Sequence, residues 1–169
     1  LVTGRELPQL KQVFPDVDLC HMVVAENGAL LYTPATGNER PLCDPPEESF
    51  VRALKERGVT PLSVGRVIVA TYEPHETTVL KVIHDLGLER QVIFNKGAVM
   101  VLPSGVNKAS GLAAALQSMG LSPHNAVGVG DAENDHAFLA LCEVSAAVAN
   151  ALPAVKDAAD IVTAGDHGA

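Results

Sequence analysis

The chain has 169 residues, which suffices for one ordinary domain or for a compact core carrying a small insertion. Twelve Lys and Arg against twenty Asp and Glu give a formal charge of -8, which excludes a surface built to neutralise a nucleic-acid backbone. With 47% apolar and 19% charged residues the chain is not globally disordered, and its apolar runs, such as 67–70 and 98–102, are too short to span a bilayer. The three cysteines, Cys20, Cys43 and Cys142, are too widely spaced for a disulfide framework or a clustered zinc site. A soluble, cytoplasmic protein with neither a nucleic-acid nor a membrane partner is expected.

Leu1-Val2-Thr3-Gly4-Arg5 reads as the end of a buried strand entering a turn, and a short helix follows from Leu7 to Phe14, stopped by Pro15. Met22 to Ala25 is a strand, Asn27-Gly28 a tight turn, and Leu30 to Tyr32 the return strand of a hairpin. After a polar, Pro-rich stretch, Glu47 to Arg57 is a helix ended by Gly58, and Val64 to Thr71 is taken as one strand. Pro74 opens the next helix, which ends at Gly87, and 92–94 and 98–102 are two strands around a Lys96-Gly97 turn. Beyond Asn107 comes an amphipathic helix carrying Leu112, Ala115, Leu116 and Met119, and then the short apolar strand 126–129. An acidic turn spans 130–135; a helix, a strand at 144–148 and a last helix from Pro153 to Ala158 lead to a short strand at Ile161-Val162 and a polar loop. Apolar strands without alternation, each followed by a loop and a helix, point to a parallel sheet covered by helices. Both ends read as cuts through a longer polypeptide.

The sharpest chemistry lies past the strand ends, where open α/β sheets bind ligands. Gly130 allows a tight turn that sets Asp131 at the mouth of the sheet, with Asp135 four residues on. Oxygen ligands of this kind suit Mg²⁺, which keeps several waters and shares them with a substrate phosphate; Asp135 could equally cap the following helix. Lys108 sits near a helix start, where the dipole does not favour a cation, so a bound anion or nearby carboxylates would explain it; a solvated lysine is the alternative. Thr3 with the N–H groups of Gly4 and Arg5 could hold a phosphoryl oxygen, and Asn27 could reach the same cleft. Gly128-Val129-Gly130 lacks the third glycine of a dinucleotide fingerprint, and Glu133 and most of the six histidines, His167 included, read as surface residues.

Taken in order, these segments resemble the haloacid dehalogenase superfamily of phosphohydrolases, in particular its Cof-type branch of sugar-phosphate and phosphoglycolate phosphatases. Leu-Val-Thr-Gly-Arg matches the second motif through Thr3, Ser-Gly-Val-Asn-Lys-Ala the third through Lys108, and Val-Gly-Val-Gly-Asp-Ala-Glu-Asn-Asp the fourth through Gly130, Asp131, Asn134 and Asp135. Ala25-Glu26-Asn27-Gly28-Ala29 is also typical of the branch. The resemblance implies a Rossmann-like, doubly wound parallel core in residues 1–39 and 98–169, with a small α+β cap inserted at 40–97. It implies Mg²⁺ as cofactor, held by Asp131 with Asp135 in support. Thr3, Lys108 and Asp131 would be catalytic; Gly4, Arg5, Asn27 and Asn134 would bind a small phosphorylated substrate. Arg66, Tyr72, Asn95 and Lys96 are conceivable cap contacts.

The family's nucleophile motif, Asp-x-Asp-x-Thr on the first and central strand, has no match. Asp16-Val17-Asp18 is the one Asp-x-Asp pair, and it reads as a surface turn. The expectation is therefore a Mg²⁺-dependent phosphomonoester hydrolase working through an aspartyl-phosphate, of which this chain holds all but the nucleophile and its strand. An N-terminal fragment of the same protein would be a partner, and two parallel strand edges would be left without a neighbour. The alternatives are a pseudoenzyme or phosphate-binding regulatory module, and a different doubly wound binding domain such as one like a response regulator.

Overall fold

The fold of residues 1–166 is described by a computed structural model; the closing polar loop, with His167, runs on outside the described residues. Helix α1 (Leu7–Val13) is followed by the strands β1 (Val23–Ala25), β2 (Leu30–Thr33) and β3 (Asn38–Pro41). These three strands form an antiparallel sheet. Side chains alternate across it as a period of two requires. Val23, Ala25, Leu30 and Tyr32 pack on Leu7, Leu10 and Val17, while Val24 and Leu31 point the other way. The second face is covered by Ala115 of α4 (Lys108–Ser118). Leu1–Arg5 runs beside β1 in the parallel sense, with Thr3 N–H donating to the Val24 carbonyl and Val24 N–H to the Leu1 carbonyl, both at 2.8 Å.

A second unit follows. Helix α2 (Glu48–Glu56), strands β4 (Ser63–Val64) and β5 (Val69–Tyr72), helix α3 (Glu76–Asp85), and strands β6 (Arg90–Asn95) and β7 (Ala98–Pro103) follow in chain order. The strands make one antiparallel sheet in the order β4-β5-β7-β6. Phe50, Leu54, Val79 and Val82 bury the inner stripes of both helices against Val69, Val99 and Val101. One expectation is corrected here. Residues 64–71 are not one strand but a hairpin, in which Gly65 to Ile68 form the loop. Residues 40 and 41 pair with β2, and β7 pairs with both β5 and β6.

The chain then returns. Strand β8 (Val127–Gly130), helix α5 (His136–Leu139), strand β9 (Val144–Ala147), helix α6 (Pro153–Ala158) and strand β10 (Ile161–Val162) complete it, and the strands form a parallel sheet in the order β10-β9-β8. Phe138, Leu139, Val148 and Val155 pack on one another and on Leu112 of α4. The Ser145 hydroxyl and N–H both donate to Asp160, which holds that carboxyl below the usual range and ties β9 to the start of β10. Strand β8 is the outer strand of its sheet, with Val127 and Val129 at 68% and 54% exposure. The architecture is mixed α/β, with helices on a parallel sheet and on both faces of β1–β2. No helix among the described residues is long and apolar enough to cross a membrane.

Helix α4 reaches the first sheet through glycine. A Cβ on Gly111 would stand 2.5 Å from the Cα and 2.6 Å from the carbonyl oxygen of Gly28, backbone atoms that cannot swing aside. Helix propensity favours Ala over Gly by about 1 kcal/mol, while overpacking a fixed contact costs about 1–3 kcal/mol, so the clash wins. Gly111→Ala is expected to lower the urea midpoint at unchanged slope; a raised midpoint would show that the helix and the turn have room to separate.

Candidate active site

Three chain segments meet at a cleft of about 720 Å³ between the second unit and the rest of the chain. Its walls include Thr3, Gly4, Arg5, Lys108, Asp131 and Asp135. Each is placed by local structure. Thr3 is held by its N–H on Val24 and by its carbonyl, which accepts the Asn27 N–H at 3.0 Å. Its hydroxyl oxygen accepts the Arg5 N–H at 3.2 Å, which shapes the turn at the strand end. Lys108 is the first residue of α4, behind an Asn107 cap whose side chain accepts the N–H groups of Ala109 and Ser110. Asp131 follows the last residue of β8, and Asp135 closes a 3-10 turn.

The chemistry centres on Lys108, only 7% exposed. Its Nζ donates to Asp135 Oδ1 at 2.5 Å and to Asn134 Oδ1 at 3.2 Å. Nearby carboxylate, rather than solvent, is what holds this cation at a helix start. The other Asp135 oxygen accepts the N–H groups of Asp131 (2.9 Å) and Ala132 (3.0 Å). Asp135 therefore has both oxygens engaged and is 4% exposed; it fixes the 130–135 turn and Lys108 together. Gly130 permits this closeness, since a Cβ there would lie 2.8 Å from the Asp135 Cβ.

Asp131 stands apart. Its side chain is 40% exposed on the cleft, and one oxygen meets the Lys96 Nζ at 3.1 Å across from the β6–β7 turn. An accessible carboxylate on the wall of an open cleft fits Mg²⁺, which binds through one or two carboxylates and otherwise keeps water or substrate oxygens. Asp135, already hydrogen-bonded through both oxygens, fits a supporting place better than a direct one. No group of three or more His, Cys, Asp or Glu side chains converges to hold a metal among the described residues.

Asn27 and Asn134, expected as substrate contacts, are not among the residues lining the cleft. They bind each other, Asn134 Nδ2 donating to Asn27 Oδ1 at 3.0 Å, and so brace Lys108 from behind. Tyr72, Asn95 and Lys96 do line the cleft, whereas Arg66 donates to Glu39 at 2.8 Å on its outside. Asp16, just before a 3-10 turn at 17–19, and Asp18, within it, are exposed, and Glu133 is exposed too. The residue that sequence reasoning missed is Glu26. It is 1% exposed and carries a φ of 51°. Its carboxylate accepts the N–H groups of Arg66 (2.8 Å), Val67 (2.8 Å) and Ile68 (3.0 Å). An acidic residue wedged between the apolar runs 23–25 and 29–31 was the available signal.

Comparison with known proteins bears on the family and the fold. The family model described as haloacid dehalogenase-like hydrolase matches residues 63–167. The phosphoglycolate phosphatase 2 of Saccharolobus solfataricus is 32% identical over 175 residues, covering 99% of this chain and 71% of that protein. A phosphoglycolate phosphatase of Halorubrum lacusprofundi is 32% identical over 178 residues, covering 99% and 77%. Among solved structures, a Thermoplasma acidophilum protein superimposes with a TM-score of 0.76 at 19% identity, over 99% of this chain and 76% of that one. A haloacid dehalogenase-like hydrolase from Bacteroides thetaiotaomicron also gives 0.76, at 15% identity over 96% and 80%. Such distant structural likeness speaks for the fold alone, but the sequence matches go further: this chain belongs to the haloacid dehalogenase-like hydrolases.

Proposed function

We propose that this chain is the larger part of a Mg²⁺-dependent phosphatase that hydrolyses a small phosphorylated acid, phosphoglycolate being the substrate class that its relatives' names suggest. The observation that carries the reading is the buried Lys108, held by Asp135 and Asn134 at the wall of a cleft that Thr3 and Asp131 share. A cation fixed in this way needs no reorganisation when phosphoryl charge arrives, which is how preorganised sites stabilise a transition state.

In this reading the Thr3 hydroxyl and the Gly4 N–H hold one phosphoryl oxygen, and Lys108 neutralises another. Asp131 would hold Mg²⁺, with Asp135 in support; when bound, the ion supplies Lewis-acid neutralisation of phosphoryl oxygens. An aspartate nucleophile attacks phosphorus and the ester oxygen leaves with a proton from a neighbouring carboxylic acid; water then cleaves the aspartyl-phosphate. That nucleophile has no counterpart among the 169 residues. We place it on a strand between Thr3 and β8. The open outer edge of β8, with exposed Val127 and Val129, supports this placement, as does the fact that both segments line the same cleft. The α2–β7 unit acts as the cap and presents Tyr72, Asn95 and Lys96 to the remainder of the substrate.

Two outcomes are expected. In the intact protein, phosphate release from phosphoglycolate depends on added Mg²⁺ and stops with EDTA, and Asp131→Asn lowers kcat/KM by ~10²-fold or more. Release that ignores both chelator and substitution contradicts the reading. The second outcome concerns stability. Asp135→Asn leaves Lys108 buried beside neutral partners and costs about 3–5 kcal/mol. Lys108→Met leaves Asp135 on its two backbone N–H groups and costs less, about 1–3 kcal/mol. Urea denaturation of the two variants ranks them, and the opposite order would contradict this assignment of Asp135.

A further inference from the structure

We propose that Glu26 is a positioning residue: it fixes the cap on the core in the register that forms the cleft. The inference rests on the phosphatase reading only in its kinetic consequence. Glu26 belongs to the core turn 26–28, while the three N–H groups it accepts belong to the β4–β5 loop of the cap, forty or more residues away in sequence. A buried loop must find partners for its backbone; here one carboxylate takes three of its N–H groups, and the Gly65 N–H donates to the Ile68 carbonyl at 2.8 Å. Gly65 makes the approach possible, because a Cβ there would stand 2.6 Å from Glu26 Oε1 and 2.7 Å from its Cδ. Val67 and Ile68 then bury their side chains with Ala29, next to the same turn, and with Leu102 and Val106. The Arg66 guanidinium fastens the loop a second time, to Glu39 of β3.

The loop joins β4 and β5, and Leu62, Ser63, Ile68, Ala70 and Tyr72, on and beside these strands, line the same cleft as Thr3 and Lys108. The turn on the other side is equally fixed. Asn27 holds Thr3 through its backbone and Asn134 through its side chain, and a Cβ on Gly28 would lie 1.9 Å from the Asn107 carbonyl oxygen. Glu26 therefore sits where a shift of the cap would change the cleft's width without displacing Lys108, Asp135 or Asn134 from one another. Its loss should act on the binding of what lies beyond the phosphoryl group, and little on the chemical step.

Two variants disturb the latch from opposite sides, Glu26→Gln in the core and Gly65→Ala in the cap. Hydrogen exchange on the intact protein should show the amides of Arg66, Val67 and Ile68 exchanging ~10-fold faster or more in Glu26→Gln, as expected for losing hydrogen bonds to a charged acceptor. Those of β9 should be unchanged. In kinetics, KM for phosphoglycolate should rise ~10-fold at nearly constant kcat, while acetyl phosphate, with less for the cap to hold, responds little. The double variant should be no worse than the stronger single one, because both break one contact. Unchanged exchange at 66–68 in both single variants overturns the proposal. So does an unchanged KM, or a kcat that falls for both substrates at constant KM, which is the mark of lost folded protein. If the intact protein hydrolyses no phosphate ester, the phosphatase reading fails, and the exchange result alone decides the latch.

Discussion

The tightest constraint in the molecule is the turn at Glu26, Asn27 and Gly28, where Gly28 and Gly111 let two backbones meet. Glu26 and Asn27 both adopt positive φ, at 51° and 55°, an uncommon conformation for residues with side chains. Such backbone persists only where its surroundings over-determine it, and here they do. One side of the turn pins Thr3, another abuts the start of α4, a third braces Asn134, and its carboxylate reaches into the cap. The three motif segments of the site are far apart in sequence, and this turn is their common support.

Charge is arranged with the same economy. A buried cation is costly unless it is paired and hydrogen-bonded, and Lys108 is both. Asp135 serves the lysine with one oxygen and two backbone N–H groups with the other, so a single carboxylate fixes the loop and the cation at once. Asp131 is left accessible on the cleft. That division of labour separates a buried, structural carboxylate from an accessible one within five residues. It also gives the family assignment a physical content: the site is set up for charge to arrive, not merely lined with charged residues.

Much of this could be read in advance. Apolar runs bounded by Gly and Pro marked β1, β2, β9 and the helices α2 to α4, because each follows local rules of period and capping. The strand-end positions of Thr3 and Asp131 and the helix-start position of Lys108 followed in the same way. What was hidden depends on partners distant in sequence. Residues 64–71 carry the composition of one strand, and only the capture of the 66–68 amides by Glu26 makes a loop of their middle. The mutual hydrogen bond of Asn27 and Asn134, 107 residues apart, is likewise invisible to a reading of local pattern.

The central claim is that Thr3, Lys108 and Asp131 form one phosphoryl site. A crystal structure of the intact protein grown with Mg²⁺ and orthovanadate tests it most directly. The account predicts the oxyanion within hydrogen-bonding distance of the Thr3 hydroxyl and Lys108 Nζ, with Mg²⁺ on an Asp131 oxygen and Asp135 still on Lys108. An oxyanion bound elsewhere, with Asp131 remaining on Lys96 and no metal beside it, would contradict it.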